Sequence, residues 1–223
     1  MDDAAQQRAQ MVERQLRRRG IADERVLGAM GTVPRDRFVP RTHRRRAYAD
    51  GALPIGHGQT ISQPWVVAAI CEALELRGTE TVLDVGAGSG YSTAVLAMLA
   101  AEVIGIERVP ELAGSASEVL LRLGIDNAQV IVGDGTRGLP ERAPFEGIAV
   151  HATAPAPPPT LLEQLTVGGV LVVPVAERRA DMLTAFRRMA DEIDPETGSG
   201  IERQPIAPCR FVPLIGEEGF AAD

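Results

Sequence analysis

Three acids and three glycines stand at spacings that could do chemistry: Asp84, then Gly86, Gly88 and Gly90, and later Glu107 and Asp134. In Val82-Leu83-Asp84-Val85-Gly86-Ala87-Gly88-Ser89-Gly90-Tyr91 an apolar run of strand type leads through the acid and glycines into a long apolar helix-like segment. Glycine lacks a Cβ, so the backbone bends sharply there and a ligand can lie directly against it. The helix that follows turns its free N–H groups and positive dipole end toward that ligand. Such a turn at the carboxyl edge of a parallel sheet makes a nucleotide-type pocket. Asp84 stands where a carboxylate can reach that pocket. Glu107 ends the next apolar run, where a carboxylate can accept bonds from both hydroxyls of a ribose. The alternative for both acids is helix capping or pairing with arginines. Asp134 follows the third run in Gly133-Asp134-Gly135, a sequence that also favours a plain Asx turn.

Alternating elements must position these groups. Residues 4–19 carry Met11, Val12 and Leu16 at helical spacing, with Gly20 as a stop. Asp23 caps a second short helix, ended by Val33-Pro34, and Phe38-Val39-Pro40 follows as an extended piece. Residues 41–63 read as one long loop rich in Gly, Pro and polar residues, of the kind that is functional or mobile. Pro64 opens a helix to about Leu76. Strands are then predicted at 81–85, 102–106, 129–132, 147–152 and 170–175, with helices near 90–100, from Pro110 and near 161–165. This alternation implies parallel βαβ units with right-handed crossovers. The tail carries a helix or strand near Met182 to Met189, a turn with Pro195 and Gly198, and a last strand at 210–214 that Pro213 confines to an edge or its own end.

The chain of 223 residues is long enough for one α/β domain, divided as 1–78 (helices and loop), 79–176 (core) and 177–223 (last strands). Net charge is −7, which excludes a general nucleic-acid coat, and every basic residue is arginine. The cluster Arg41, Arg44, Arg45, Arg46 reads as a solvated face. Met1-Asp2-Asp3 offers no secretory h-region, and runs such as Ala94 to Ala101 are too short to span a bilayer. Cys71, Cys209, His43, His57 and His151 fall in no metal or redox spacing. A reduced, cytoplasmic protein that contacts neither membrane nor nucleic acid is expected.

A Gly-x-Gly turn is shared by NAD-binding and S-adenosylmethionine-binding folds. Tyr91 stands where the dinucleotide fingerprint wants a small residue, which favours S-adenosylmethionine, and no P-loop sequence is present.

Beyond the glycine turn the chain resembles the protein-L-isoaspartate O-methyltransferase family over nearly its full length. The resemblance rests on Val33-Pro34-Arg35 with Phe38-Val39, on Leu53-Pro54-Ile55-Gly56 with Gly58-Gln59-Thr60-Ile61-Ser62-Gln63-Pro64, and on Asp84 to Tyr91. Gly133-Asp134-Gly135, Ala143-Pro144-Phe145, Gln164-Leu165, Gly168-Gly169, Leu171-Val172, Pro174-Val175 and Phe211-Val212-Pro213-Leu214 complete it. It implies a doubly wound, mostly parallel, seven-stranded Rossmann-like sheet with N-terminal helices and a distinctive order of the final strands. It also implies transfer of a methyl group from S-adenosylmethionine to the α-carboxylate of isoaspartyl residues in damaged proteins, by a monomer. By position, Ser62 matches the active-site serine, although a helix N-cap ahead of Pro64 is its plainer structural reading. Thr60, Ile61, Ser62, Asp84, Gly86, Gly88, Glu107, Asp134 and Gly135 match the cofactor side. Ile55, His151, Phe211 and Val212 are expected on the substrate side, His151 being otherwise a polar strand-end residue. Departures are Glu146-Gly147 in strand four, Ala176, His151, Thr153 and a short insertion at 194–200. They leave open a dedicated peptide substrate in place of general repair. A non-catalytic cofactor-binding remnant and an NAD oxidoreductase are the remaining alternatives.

Overall fold

The computed structural model describes residues 3–178, 180–193 and 199–221. The alternation of the sequence becomes one seven-stranded sheet in the order β5-β4-β3-β6-β7-β8-β9. Its strands are β3 (Thr81–Val85), β4 (Glu102–Glu107), β5 (Ala128–Val132), β6 (Phe145–Val150), β7 (Leu165–Val175), β8 (Asp181–Arg188) and β9 (Ile201–Cys209). The first five run parallel, while β8 is antiparallel to both β7 and β9. The order reverses between β3 and β6, so the carboxyl ends of these strands open on a crevice. The last four strands follow in chain order.

Neighbouring residues of each strand serve opposite faces, as the pleat requires. Val82, Val103, Ala149 and Val172 pack into one apolar cluster, with the N-terminal helices and the helices α3 (Pro64–Ala73) and α4 (Tyr91–Ala97). Leu83, Ile104, Ile148 and Leu171 pack into the other, beneath Leu161 of α6 (Pro159–Glu163). Each fully buried side chain of this kind stabilises the fold by about 1.5–3 kcal/mol, so a buried parallel sheet is strongly favoured. α5 (Pro110–Arg122) lies beside β5 and buries Leu112, Ala116 and Leu120.

The N-terminal segment is helical as the spacing predicts. α1 (Asp3–Met11) passes through a wider turn at 12–16 and a tighter one at 17–19, and ends at Gly20 with φ 96°. The Asp23 carboxylate caps α2 (Glu24–Thr32), accepting from Arg25 N–H at 2.7 Å. Pro64 occupies the first turn of α3.

Two expectations are corrected. Residues 41–63 are not one loop: Arg41–Arg46 forms a 3-10 turn, and β1 (Leu53–Gly56) pairs antiparallel with β2 (Gln59–Ile61). The connection His57-Gly58 takes positive φ at both residues, 51° and 70°, the twist that suits a tight hairpin. The last strand is not 210–214 but β9, which carries Pro205 and Pro208 and, among the described residues, pairs only with β8. Proline lacks the donor a central strand needs, and an edge tolerates that. Residues 212–214 instead dock inside, where Leu214 N–H donates to Thr153 O at 2.7 Å and Thr153 N–H to Val212 O at 2.8 Å. Gly147, expected to weaken its strand, sits where Leu74 and Leu76 pack, about as close as a Cβ there would allow (3.4 Å). Of the insertion and turn expected at 194–200, residues 194–198 lie outside the described residues. Among the described residues no helix is long and apolar enough to cross a membrane.

Candidate active site

The crevice at the carboxyl ends of β3, β4 and β6 has two walls. One is the glycine turn, residues 86–89, with Glu107, Arg108, Gly135 and, beside Gly86, His151; the other is Thr60, Ile61 and Ser62, with Val212, Pro213 and Ile215.

The glycine turn is fixed by backbone bonds and by the Glu107 carboxylate. Gly86 and Ala87 N–H donate to Ile106 O at 2.9 and 3.1 Å, and Gly86, Gly88 and Gly90 all take positive φ. A Cβ on Gly88 would come within 3.2 Å of Ile55 Cδ1, and one on Gly90 within 3.0 Å of Ala116. Glycine is therefore required here for packing as well as for the turn. Glu107 is nearly buried, its oxygens accepting from Gly88 N–H at 2.8 Å and Val109 N–H at 2.9 Å. Each carboxylate oxygen keeps a second lone pair for a ligand hydroxyl. The bare turn backbone and this carboxylate fit a ribose-bearing ligand.

The opposite wall is held from behind by Arg35, which is fully buried. Its guanidinium donates to Ala47 O at 2.8 Å and to Ser62 O at 2.7 Å, and lies 4.9 Å from the Tyr91 ring centroid. Burial pulls its pKa down to about 10, so it remains a cation at neutral pH. Arg35 had been part of a motif without a role; a wholly buried arginine is not foreseeable from composition, since arginine is mostly exposed.

Ser62 lines the crevice. The cap position of α3 is Gln63, with no side-chain cap bond, so Ser62 is not the N-cap of that helix. Thr60 and Ser62 also border an adjoining cavity of about 300 Å³ that holds Phe211. Val212 lines the crevice itself and Phe211 does not.

Three of the expected residues lie off the crevice lining. Ile55 points inward with Leu53 on β1 and packs against the glycine turn, outside the crevice. Asp84 is fully buried behind the turn and does not line the crevice. One of its oxygens accepts from Ser92 Oγ at 2.9 Å and Thr93 Oγ1 at 2.6 Å on α4, because a residue at this register of β3 faces that helix. Its other oxygen lies 3.1 Å from His151 Nε2. Asp134 makes the Asx turn, accepting from Thr136 N–H at 2.9 Å and Oγ1 at 2.7 Å, and its second oxygen takes Glu217 N–H at 2.9 Å. Only its neighbour Gly135 reaches the crevice. Burial works to raise the Asp134 pKa, but these donors hold it below the ordinary carboxylate value. Among the described residues no cluster of metal-ligating side chains occurs.

Comparison with known proteins agrees with this geometry. The family described as protein-L-isoaspartate(D-aspartate) O-methyltransferase matches residues 6–219. Protein-L-isoaspartate O-methyltransferase 1 of Rhodopseudomonas palustris is 49% identical, over 99% of this chain and 89% of that protein. Protein-L-isoaspartate O-methyltransferase 2 of Marinobacter nauticus is 52% identical, over 98% and 97% respectively. A Plasmodium falciparum structure assigned to the same activity, in complex with S-adenosyl-L-homocysteine, superposes with a TM-score of 0.78 at 28% identity, covering 93% of this chain and 98% of that one. With a seven-stranded sheet, a glycine turn facing Glu107 and a Thr60-Ile61-Ser62 wall, the chain belongs to the protein-L-isoaspartate(D-aspartate) O-methyltransferase family.

Proposed function

We propose that this protein methylates the free α-carboxylate of L-isoaspartyl residues in proteins and peptides, using S-adenosylmethionine. The observation that carries the reading is that one crevice is lined both by the bare glycine turn with the Glu107 carboxylate and by Ser62 with the segment at 212–215.

Glu107 would hold the ribose hydroxyls, Gly86 and Gly88 would let the ligand lie on the backbone, and Thr60, Ile61, Ser62 and Gly135 would close around it. Asp84 and Asp134 act one layer back, through α4 and through Gly135. When bound, the cofactor supplies an electrophilic methyl group on a sulfonium sulfur. The nucleophile needs no general base, because an α-carboxyl group has a pKa near 3.5 and is already ionised at neutral pH. The chain's task is to align the acceptor oxygen, to which Ser62 Oγ donates, and to exclude water. Proximity and orientation can supply on the order of 7–11 kcal/mol. Transfer also neutralises an anion and a cation, so a crevice that strips hydration favours it. The ester then closes without further catalysis to a succinimide, whose hydrolysis returns part of the material to normal aspartate.

The test is incubation with methyl-labelled S-adenosylmethionine and two matched peptides, one isoaspartyl and one aspartyl. Label released as methanol in mild base from the isoaspartyl peptide alone is the expected result; no transfer to either removes the reading. The same reading takes the chain as a one-domain, cytoplasmic monomer acting on protein rather than nucleic acid, and a size-exclusion mass above that of one chain would overturn the monomer.

A further inference from the structure

His151 is the first residue beyond β6, and its backbone N–H donates to Val85 O at 2.9 Å. That bond sets its side chain beside the glycine turn, where a Cβ on Gly86 would lie 3.9 Å from His151 Cβ. The ring lines the crevice between Gly86 and Val212, yet its side chain is only 6% exposed. Its Nε2 stands 3.1 Å from Asp84 Oδ1, an ion-pair distance, but neither atom has an aligned hydrogen bond. A histidine that merely finished a strand would be satisfied by its neighbours. Here a fully buried carboxylate oxygen and an imidazole nitrogen face each other without a directed bond, beside Gly86 at the crevice. Asp84 Oδ2 is satisfied by Ser92 and Thr93, but a buried Oδ1 left without a donor is costly, and a ring N–H turned toward it offsets that cost.

The charged and titratable groups around the ring come from few elements. Asp84 lies on β3, with Cys71 of α3 behind it, whose thiol is held protonated by burial and by the Asp84 charge. Glu107 and Arg108 line the same crevice at the end of β4, and Asp181 of β8 accepts from Thr153 Oγ1 at 2.7 Å. The segment on the acceptor side lines the crevice with Val212, Pro213 and Ile215, and sets Arg210 on the adjoining cavity that Thr60 and Ser62 border.

We propose that His151, positioned beside the glycine turn by its backbone bond to Val85 and by Asp84, is the receptor for the acceptor carboxylate; this rests on the carboxyl-methyltransferase reading above. The pairing has a kinetic signature. As the O–CH₃ bond forms and the C–S bond breaks, leaving its electron pair on sulfur, the carboxylate loses its charge and its hydrogen bond from the ring weakens. The proton stays on the ring throughout. His151 thus stabilises the bound ground state more than the transition state, so its loss raises KM and leaves kcat unchanged or higher.

The experiment compares wild type with His151→Gln, which keeps a donor but cannot titrate, using an isoaspartyl peptide at saturating S-adenosylmethionine from roughly pH 5.5 to 8.5, the range in which imidazoles change charge. The peptide carboxylate stays ionised throughout. Wild-type KM is expected to rise with pH while kcat stays level. In His151→Gln, KM is expected to be about tenfold higher at the acid end, equivalent to about 1.4 kcal/mol, and flat with pH. Calorimetric peptide affinity with S-adenosylhomocysteine present should show the same loss in a folded variant, whatever its turnover. Persistence of the pH slope in His151→Gln, or a fall in kcat with KM and affinity unchanged, overturns the role of His151 alone. Wild type that transfers no methyl group overturns the reading beneath it.

Discussion

The glycine-turn wall comes from a short run of chain, with Gly86, Gly88 and Glu107 supplied by two adjacent strands and the turn between β3 and α4. The opposite wall is gathered from Thr60–Ser62 and Val212–Ile215, segments far apart in sequence, the first held by Arg35 and the second by the bonds between Thr153 and residues 212–214. The first wall needs only local rules: a strand, positive-φ glycines and a helix start. The second exists only after the whole sheet has formed, because its pieces meet through long-range bonds. A change on the first wall should therefore act on one ligand and leave the fold intact. A change behind the second should reach the fold and the acceptor together.

The largest separable effect is expected at Glu107. Glu107→Ala removes the acceptor of Gly88 and Val109 N–H and of any ribose hydroxyl. Hydrogen bonds to charged groups are worth about 1.5–3 kcal/mol each, so S-adenosylhomocysteine affinity should fall roughly 100-fold by calorimetry. An unchanged affinity would mean that the glycine turn is not the ribose side, and the contrast between the walls would collapse.

Arg35 tests the other wall. Arg35→Met keeps the length and apolar stem but leaves Ala47 O and Ser62 O without their donor, and removes the cation from the Tyr91 face. A buried group left unpaired costs about 1–3 kcal/mol, so about 3 kcal/mol is expected for the two carbonyls together. In a chain of this size that lowers Tm by roughly 6–12 °C. At a temperature where the variant is folded, turnover of the isoaspartyl peptide should drop about tenfold while S-adenosylhomocysteine affinity changes little. Equal losses in both would show that the walls are not independent.

This difference also explains what was legible in sequence. Strands β3 to β5, the Asp23 cap, the Gly20 stop and Pro64 at the head of α3 obey short-range rules and fold as read within a residue, while β6 lies two residues earlier than expected and β7 begins at Leu165, running through Gly168 and Gly169. The hairpin at 53–61 was hidden because His57 takes a left-handed turn that its residue type does not announce. Strand β9 was hidden by Pro205 and Pro208, which deny a central strand but not an edge. Asp84 was recognised as part of the motif, but the direction of its side chain depends on where α4 packs, and Ser92 and Thr93 draw it behind the turn. Asp134 was balanced between two readings, and the donor that turns its carboxylate away from the crevice, Glu217 N–H, arrives from the far end of the chain.

Asp134 joins the walls, since its Oδ2 holds the loop at 216–220 while its neighbour Gly135 faces the crevice. A Cβ on Gly216 would collide with its carboxylate, which marks how closely the loop is seated. In the folded chain Thr136 and Glu217 hold the carboxyl below its ordinary pKa despite partial burial. Its stabilising contribution is therefore complete above the unfolded value, near 3.9, and is lost as pH falls through the lower folded value. Asp134→Asn cannot accept from both sides at once and carries no charge. It should lower Tm at neutral pH by roughly 2–4 °C, about 1 kcal/mol, with S-adenosylhomocysteine affinity nearly unchanged. The deficit against wild type should shrink in thermal scans as pH is lowered below 3.9, because the wild-type carboxylate is then also being neutralised. A deficit that stays constant down to strongly acid pH would show that shape rather than charge seats the loop, leaving the link between the two walls to the Gly216 contact alone.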